Sequence, residues 1–127
     1  MLEIDEFGNR FWKNANGQFH RENGPAVEMA NGRKEWWING KLHREKNPSI
    51  EHSESSKEWY INGKRHRENG PAIEYSDGSK EWYLNDKRHR IDGPALEYSD
   101  GYKEWCLDGK QYTEEEYKKK MRKICYI

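Results

Sequence analysis

The sequence predicts an all-β repeat array, an elongated and twisted antiparallel sheet of hairpins that a C-terminal α-helix caps. Three observations carry this prediction: a 23-residue repeat, short segments in which polar and apolar residues alternate, and turn residues between those segments. Because each of the six Trp and eight Tyr can bury a large area, aromatic rings can supply the core of a thin sheet. We therefore expect tandem β-hairpins over residues 1–112 and a capping helix over residues 113–127.

The repeat is visible at nearly every position of the central part of the chain. Histidines recur at intervals of 23 residues, at His20, His43, His66 and His89. The same interval separates the members of five further columns: Arg21, Arg44, Arg67 and Arg90; Pro25, Pro48, Pro71 and Pro94; Val27, Ile50, Ile73 and Leu96; Glu28, Glu51, Glu74 and Glu97; Trp36, Trp59, Trp82 and Trp105. A single inserted residue between Trp12 and Gly17 brings the first unit into register, which gives about four and a half units.

Each unit contains short strands joined by turns. Residues 80–84 alternate polar and apolar side chains, and the Asn-Gly or Asn-Asp that follows such segments is a turn signal. A three-residue turn over residues 76–78 sets Glu74 opposite Lys80, whereas a two-residue turn would set Glu74 opposite the like charge of Glu81. We therefore predict the three-residue turn, which also sets Glu28 opposite Lys34, Glu51 opposite Lys57, and Glu97 opposite Lys103.

That register divides the side chains between two faces, because residues two apart along a strand share a side. On one face we expect the tryptophan rings to stack opposite small residues and to form the structural core: Trp36 with Ile38, Trp59 with Ile61, Trp82 with Leu84, Trp105 with Leu107, and the small Ala26, Ser49, Ala72 and Ala95. The other face carries Trp37, Tyr60 and Tyr83 beside the Val27, Ile50, Ile73 and Leu96 column, and we expect part of it to be exposed.

The C-terminal segment predicts a helix that covers the last repeat. Thr113 followed by Glu116 forms a capping box, and an apolar stripe follows at Tyr117, Met121, Ile124 and Cys125. Lysines occupy the opposite side, which is typical of a solvated helix face. A helix that binds a partner remains the alternative.

The amino-acid composition limits the cellular compartments and the binding partners that we expect. Lys plus Arg and Asp plus Glu both total 23, so no whole-molecule field attracts nucleic acid or a membrane. The two cysteines, Cys106 and Cys125, are too few for a disulfide scaffold and favour a reducing, cytoplasmic setting. No segment approaches the roughly 20 apolar residues that cross a bilayer, and no export signal is recognisable.

The repeat resembles a known family. The segment Trp59-Tyr60-Ile61-Asn62-Gly63-Lys64-Arg65-His66, with Tyr75-Ser76-Asp77-Gly78 closing the unit, is similar to MORN-type repeats over most of residues 7–112. This resemblance implies an extended sheet of successive hairpins used mainly for protein interaction and sometimes for lipid contact, and it implies no chemistry. MORN units continue with His-Gly-x-Gly, whereas His66 is followed by Arg67-Glu68-Asn69-Gly70-Pro71, so the function of the loop need not transfer. Comparable repeats resemble those of uncharacterised phage and large-virus proteins, which favours an inhibitor of a host defence protein.

The repeated histidines and arginines suggest other chemistry, but less strongly. Equivalent histidines of neighbouring units lie about 9.6 Å apart, too far to share a zinc ion, so we predict no metal, and no cofactor. The motifs of nucleophilic or phosphate chemistry are missing from the sequence, so we predict no catalysis and interpret Cys106 as a packing substitution. An arginine ladder beside aromatic rings could bind a nucleotide or another phosphorylated ligand, although the repeated glutamates would neutralise it. We expect each His and Arg to bond loop carbonyls and the repeated Glu.

The second unit departs most from the pattern and indicates where a partner binds. It has Trp37 in place of Tyr, Asn47 in place of Gly, and Glu54-Ser55 in place of Asp-Gly, which predicts a bulge or kink. Exposed aromatic and arginine anchors dominate protein interfaces. The leading hypothesis is a protein-binding module, with a nucleotide binder as the alternative; its contact residues would be Trp37, Tyr60 and Tyr83, flanked by Arg44, Arg67 and Arg90 and by His43, His66 and His89.

Overall fold

One long antiparallel sheet forms the body of the protein. The computed structural model describes the backbone of residues 1–125 and the side chains of residues 1–123. Within that part of the chain lie short strands and one helix: β1 Leu2–Ile4, β2 Arg10–Trp12, β3 Val27–Glu28, β4 Lys34–Glu35, β5 Trp37–Ile38, β6 Lys41–Leu42, β7 Ile50–Glu51, β8 Lys57–Glu58, β9 Tyr60–Ile61, β10 Lys64–Arg65, β11 Ile73–Glu74, β12 Lys80–Glu81, β13 Tyr83–Leu84, β14 Lys87–Arg88, β15 Leu96–Glu97, β16 Lys103–Leu107, β17 Lys110–Tyr112 and α1 Glu114–Cys125.

Each repeat contributes two hairpins with different partners. The first hairpin, for example β11 with β12, joins the 11-stranded sheet, whose order is β1-β2-β3-β4-β7-β8-β11-β12-β15-β16-β17. The second hairpin, for example β13 with β14, forms a separate two-stranded sheet beyond a break at the tryptophan. A loop that starts at the His-Arg pair then returns the chain to the long sheet. The last unit differs, because β16 runs through Trp105 without a break and pairs with β17 in the long sheet. The predicted all-β repeat array with a C-terminal helix is therefore confirmed.

The first hairpins have the predicted register. Glu74 lies opposite Lys80, and the equivalent pairs are Glu28 with Lys34, Glu51 with Lys57, and Glu97 with Lys103. The turn between them holds Gly78 at a φ of 93°, a conformation that glycine adopts without steric cost. The second hairpins instead use two-residue turns with positive φ at both residues, as at Asn62 (51°) and Gly63 (80°). Charge pairing and turn chemistry thus agree on one register.

The interior includes the side that was predicted to be partly exposed. The aliphatic column is buried, with Val27 3%, Ile50 5%, Ile73 7% and Leu96 0% exposed. Tyr83, which shares this side, is 4% exposed. We call this side the buried face and define it by that aliphatic column together with Glu35, Glu58, Glu81 and Glu104. The opposite side, the tryptophan face, holds Trp12, Trp36, Trp59 and Trp82, and all of these rings except Trp59 are only half-buried.

The small residues have a different neighbour from the one predicted. Ala26, Ser49, Ala72 and Ala95 are fully buried, and Trp59 does donate its backbone N–H to Ala72, at 2.7 Å. However, the Ser49 hydroxyl bonds both the backbone N–H and the carbonyl of Tyr60, each at 3.0 Å, so this column points at the backbone of the next unit. A larger side chain would displace that backbone. Among the described residues, the stacked or edge-on ring pairs involve Phe11, Phe19, Trp37, Tyr98 and Tyr102, and the predicted stack of tryptophans is wrong.

The helix begins where a fifth His-Arg loop would begin. Tyr112 and Thr113 lie 23 residues after His89 and Arg90. Thr113 and Glu116 form the predicted capping box, with backbone N–H to side-chain oxygen distances of 2.9 and 3.1 Å. The predicted helix residues 126–127 and the side chains of Ile124 and Cys125 lie outside the described residues. The helix is not long and apolar enough to span a membrane.

One side chain fixes the helix to the last repeat. Tyr117 is 4% exposed, and its hydroxyl donates to the Arg90 carbonyl at 2.5 Å. The same hydroxyl accepts the N–H of Gly93 at 3.3 Å. Tyr117 therefore satisfies backbone groups of the fourth loop, as the predicted lid over the final repeat requires.

The second unit keeps the turn geometry of the others, so the predicted bulge is wrong. Ser55 adopts a φ of 82°, and its N–H bonds the His52 carbonyl at 3.1 Å. Gly78 makes the equivalent bond to Tyr75 at 3.0 Å. The hydrogen-bonded register of the flanking strands forces Ser55 into the left-handed region, where a non-glycine residue is strained by roughly 1–2 kcal/mol.

Replacing Ser55 with glycine should therefore stabilise the protein. We expect Ser55→Gly to raise the free energy of unfolding by about 0.5–1 kcal/mol, because relief of strain exceeds the added freedom of the unfolded chain. Gly78→Ser should lower it by about 1 kcal/mol through backbone conformation, since an added Cβ meets no atom within 4 Å. Urea unfolding of both variants measures the effect. A loss of stability in Ser55→Gly would contradict the argument.

Candidate functional site

An arginine clamp builds the tryptophan face of each repeat. In the third unit the Arg67 guanidinium lies 3.8 Å from the centre of the Trp59 ring. The same group donates to the Pro71 carbonyl at 3.1 Å and to the Glu74 carboxylate at 3.1 Å. One side chain thus joins the strand, the loop and the next strand of its unit. The other clamps are Arg21 on Trp12, Arg44 on Trp36 and Arg90 on Trp82, at 3.7–3.8 Å.

The histidines connect neighbouring repeats. His43 Nδ1 accepts the backbone N–H of Asn62 at 3.0 Å, and His66 accepts that of Asn85 at 3.0 Å. An accepting Nδ1 carries no hydrogen, so the ring hydrogen sits on Nε2. Nε2 of His43 lies 3.5 Å from the Glu45 carboxylate. The expected arginine bonds to carbonyl and glutamate are present, but the predicted histidine bonds to carbonyls are wrong, because Nδ1 accepts rather than donates.

Two grooves lie between successive loops on the tryptophan face. The first, between the second and third loops, has Trp59, Ile61 and His66 in its lining and a volume of about 580 Å³. The second, between the third and fourth loops, has Trp82, Leu84 and Pro71 in its lining and a volume of about 640 Å³. Each groove therefore combines an apolar floor of one tryptophan and one aliphatic residue with polar loop walls, which suits a bound side chain.

Exposed carboxylates line the rim of these grooves. Every loop carries one, and their side chains are 79–85% exposed; we call this set the acidic rim: Glu22, Glu45, Glu68 and Asp92. The arginines of the second groove are balanced by Glu74 and Glu97, each at 3.1 Å. The lining of this groove holds these two arginines and the two rim carboxylates Glu68 and Asp92, but the guanidinium groups are bonded inside the clamps, so the more exposed charges are the carboxylates. The rim was not among the predicted contact residues, although the acid after each His-Arg pair, at 22, 45 and 68, forms a column in the sequence.

The predicted contact residues do not form one surface. Arg44, Arg67 and Arg90 lie on the tryptophan face with the histidine loops, whereas Trp37, Tyr60 and Tyr83 lie on the buried face. Backbone bonds bring the two sets together, as from Arg44 N–H to the Tyr60 carbonyl at 3.2 Å, but their side chains point to opposite sides. The predicted flanking of these aromatics by arginine is therefore wrong.

The aromatics of the buried face bond a ladder of glutamates. Tyr83 donates its hydroxyl to Glu81 at 2.6 Å, and Tyr75 donates to the same carboxylate at 2.7 Å. Tyr60 bonds Glu58 at 2.8 Å, and the Trp37 indole bonds Glu35 at 2.8 Å. The glutamate side chains of this ladder are only 8–20% exposed: Glu35, Glu58, Glu81 and Glu104. The charges are kept in the interior because each carboxylate has several donors.

Arginines of the second hairpins close the buried face. The Arg65 guanidinium lies 4.1 Å from the centre of the Tyr83 ring. Arg88 donates to the Tyr83 hydroxyl at 3.2 Å and to the Glu104 carboxylate at 3.1 Å. No buried side-chain nitrogen or oxygen lacks a hydrogen-bond partner within the described part of the chain. The interior of this face is therefore a fully bonded polar network. At its edge, Tyr75 and Tyr98 are each 40% exposed and line a cavity of about 350 Å³.

The buried cysteine is poorly suited to act as a nucleophile. Cys106 is 2% exposed in the column that Tyr83 occupies in the preceding unit, and burial raises the pKa of its thiol. A thiol held protonated is a weak nucleophile. Among the residues that the structure describes, no three His, Cys, Asp or Glu side chains are grouped so that they could hold a metal ion.

The sequence matches no protein-family model and no curated protein. The resemblance to MORN-type repeats therefore rests on the motif residues alone and stays a prediction. By its fold and its grooves, the protein belongs to the class of antiparallel repeat arrays with periodic grooves between their loops.

The arginine clamp should stabilise the fold through its geometry as well as through its positive charge. We expect Arg67→Lys to lower the free energy of unfolding by about 1–2 kcal/mol, because lysine keeps the charge but loses the planar stack on Trp59 and the geometry of the two bonds. The exposed Arg10 provides the matched control, and Arg10→Lys should change stability by less than about 0.5 kcal/mol. Equal effects at the two positions in urea unfolding would rule out the clamp.

The tyrosines that bond the glutamate ladder should make the fold sensitive to alkali. Burial first, and hydrogen bonding to carboxylates second, raise the pKa of Tyr60, Tyr75 and Tyr83. A raised pKa gives stability that is complete below the unfolded value, about pH 10, and is lost as the pH rises towards the folded value. The urea midpoint should therefore fall steeply above about pH 10. Tyr83→Phe should make that slope shallower, and an unchanged slope would be incompatible with the assignment.

Proposed function

We propose that this protein is a non-catalytic module that binds another protein through the loops and grooves of its tryptophan face. The observation that carries the proposal is the second groove, where a half-buried Trp82 and Leu84 form an apolar floor below exposed charged loops. Apolar floors with polar rims are characteristic of protein interfaces. Neighbouring repeats offer adjacent copies of this arrangement, so one partner can engage two grooves at once.

Exposed residues at the rim mark the proposed contact. Ile91 is 65% exposed and takes the place that glutamate has in the preceding loops, so the second groove has an apolar side chain on its wall. Glu68 faces the same groove and is 79% exposed. Neither position belongs to an arginine clamp. Substitutions there can therefore change binding without removing an interaction on which the fold depends.

The contacts of the arginines favour a protein over a phosphorylated ligand. In the clamps of Arg44, Arg67 and Arg90 the Trp ring covers one face of the guanidinium, and Nη1 of the arginine donates to a proline carbonyl and to a glutamate. A phosphate would have to displace these bonds and approach the acidic rim. The nucleotide hypothesis gains no support from this arrangement, and we do not propose it.

A paired set of charge reversals tests the proposed surface. We expect Glu68→Lys with Ile91→Lys to abolish capture of partner proteins that the unchanged chain retains from a host lysate, because the doubled change reverses the charge and removes the apolar wall. The matched control is Glu6→Lys with Phe7→Lys, a pair of exposed residues in the first turn that carries the same change; Phe7 is 72% exposed. Circular dichroism and thermal unfolding confirm that both variants are folded.

The outcomes of this experiment show whether the tryptophan face is the surface that binds the partner. Loss of capture in the groove variant alone supports the tryptophan face as the binding surface. Equal capture by the groove variant and the unchanged chain rejects it. Because the repeats resemble those of phage and large-virus proteins, a lysate of a virus host is the material to use, and inhibition of a captured host protein is the role we propose to measure.

A further inference from the structure

The spacing and charge of the grooves indicate which kind of segment they fit. We infer that the tryptophan face binds a basic, extended segment in the polyproline II conformation, with arginine or lysine at every third position and proline or aliphatic residues between them. This inference rests on the proposed function and specifies its partner. It follows from three features of the second, third and fourth loops: their charge, their period and their apolar floors.

The charge of the loops determines whether the partner is basic or acidic. The acidic rim places Glu45, Glu68 and Asp92 on successive loops, each about four-fifths exposed. The arginines next to them are bonded by Glu74 and Glu97 and are only 20–27% exposed, so the charged groups that the second groove presents to solvent are mainly carboxylates. In the first groove, Lys46 offsets the charge of Glu45. A partner with repeated positive charges complements this surface, and its attraction is strongest at the second groove.

The period of the array determines the conformation of the partner. Equivalent loops are two strands apart, about 9.6 Å at a strand spacing of about 4.8 Å. A polyproline II helix repeats every three residues and rises about 3.1 Å per residue, so like side chains recur every 9.3 Å or so on one side. A β-strand brings like sides back every two residues, about 6.6–6.8 Å, and an α-helix advances only about 1.5 Å per residue. Of the three, the polyproline II helix matches the loops.

The floors of the grooves supply the remaining contact. Trp59 with Ile61, and Trp82 with Leu84, lie between the charged loops. Grooves lined by aromatic rings are the usual docking sites of polyproline II segments, whose preformed backbone loses little entropy on binding. Neighbouring strands of a sheet are rotated relative to one another, and this twist turns successive loops away from a straight line. Because only three loops and two grooves take part, the total rotation along the bound segment stays small. The basic residues then meet the acidic rim, while the residues between them contact Ile61, Leu84 and the parts of the rings that the clamp arginines leave open.

Two synthetic peptides of identical composition test this inference. In one, Pro-Pro-Arg is repeated four times; in the other, the four arginines are consecutive and the prolines follow. Fluorescence anisotropy of labelled peptides at low salt, with the unchanged protein, measures both dissociation constants. We expect the periodic peptide to bind about tenfold more tightly, because only its arginines reach all the rim carboxylates, and a few rim ion pairs supply a change of that order.

Variants of the rim identify the contact. Glu68→Gln with Asp92→Asn should weaken binding of the periodic peptide about tenfold and should remove its advantage over the clustered peptide. Glu6→Gln with Glu115→Gln removes the same charge elsewhere and should leave both dissociation constants unchanged. All four positions are exposed, and the amide oxygen introduced at position 92 can still accept the bond from Arg90 Nε, so we expect both variants to fold; thermal unfolding checks this.

The results separate this inference from the proposed function. Equal affinity for the two peptides overturns it, since charge attraction alone would then explain binding. Binding of neither peptide at low salt also overturns it. In either case, capture of a host protein that still depends on Glu68 and Ile91 leaves the protein-binding function in place with a partner of different chemistry.

Discussion

The fold depends on one interaction, the stacking of an arginine on a tryptophan within each repeat. Most strands contain two residues, so the ladder alone supplies few hydrogen bonds per strand. Arg67 compensates by joining Trp59, the Pro71 carbonyl and Glu74, which come from three separate segments of one unit. The clamp holds the loop against the sheet. The loop held in this way positions the strand that follows it. Repetition of the clamp at constant spacing makes the array regular.

The second constraint is that the interior of the array is polar. A thin sheet with few aliphatic residues can still exclude water if buried charges are fully bonded. Glu81 illustrates this: its side chain is 8% exposed, and it receives hydroxyl groups from Tyr75 and Tyr83. Such a network tolerates little change, because removing one donor leaves a buried charge with fewer partners. The surface that can vary is therefore the other one, where the loops project from the clamps.

The sequence predicted the register but not the side that faces the interior. Glu74 and Lys80 pair across a local turn, so charge and glycine placement were sufficient to align them. Which side of the sheet is buried depends on contacts between repeats, such as Arg88 with Glu104 and Arg65 with Tyr83. The residue pattern within one unit does not reveal these contacts. Glutamate and arginine predict exposure when each is considered alone. Only their mutual bonding makes this face the core, and the predicted contact residues failed to converge for the same reason.

Repetition also explains how a recognition surface can vary while the fold is maintained. The fourth loop departs from the others with Ile91-Asp92, yet Arg90 keeps its stack on Trp82 at 3.7 Å and its bond to Pro94 at 3.0 Å. Asp92 adds a bond from Arg90 Nε at 2.9 Å. The positions after each arginine are thus free to change because the clamp uses the guanidinium and the residues four and seven places later. Formal neutrality of the whole chain conceals this separation: the arginines of the clamps and the glutamates of the buried face are bonded within the fold, and the exposed carboxylates of the acidic rim are what a partner meets.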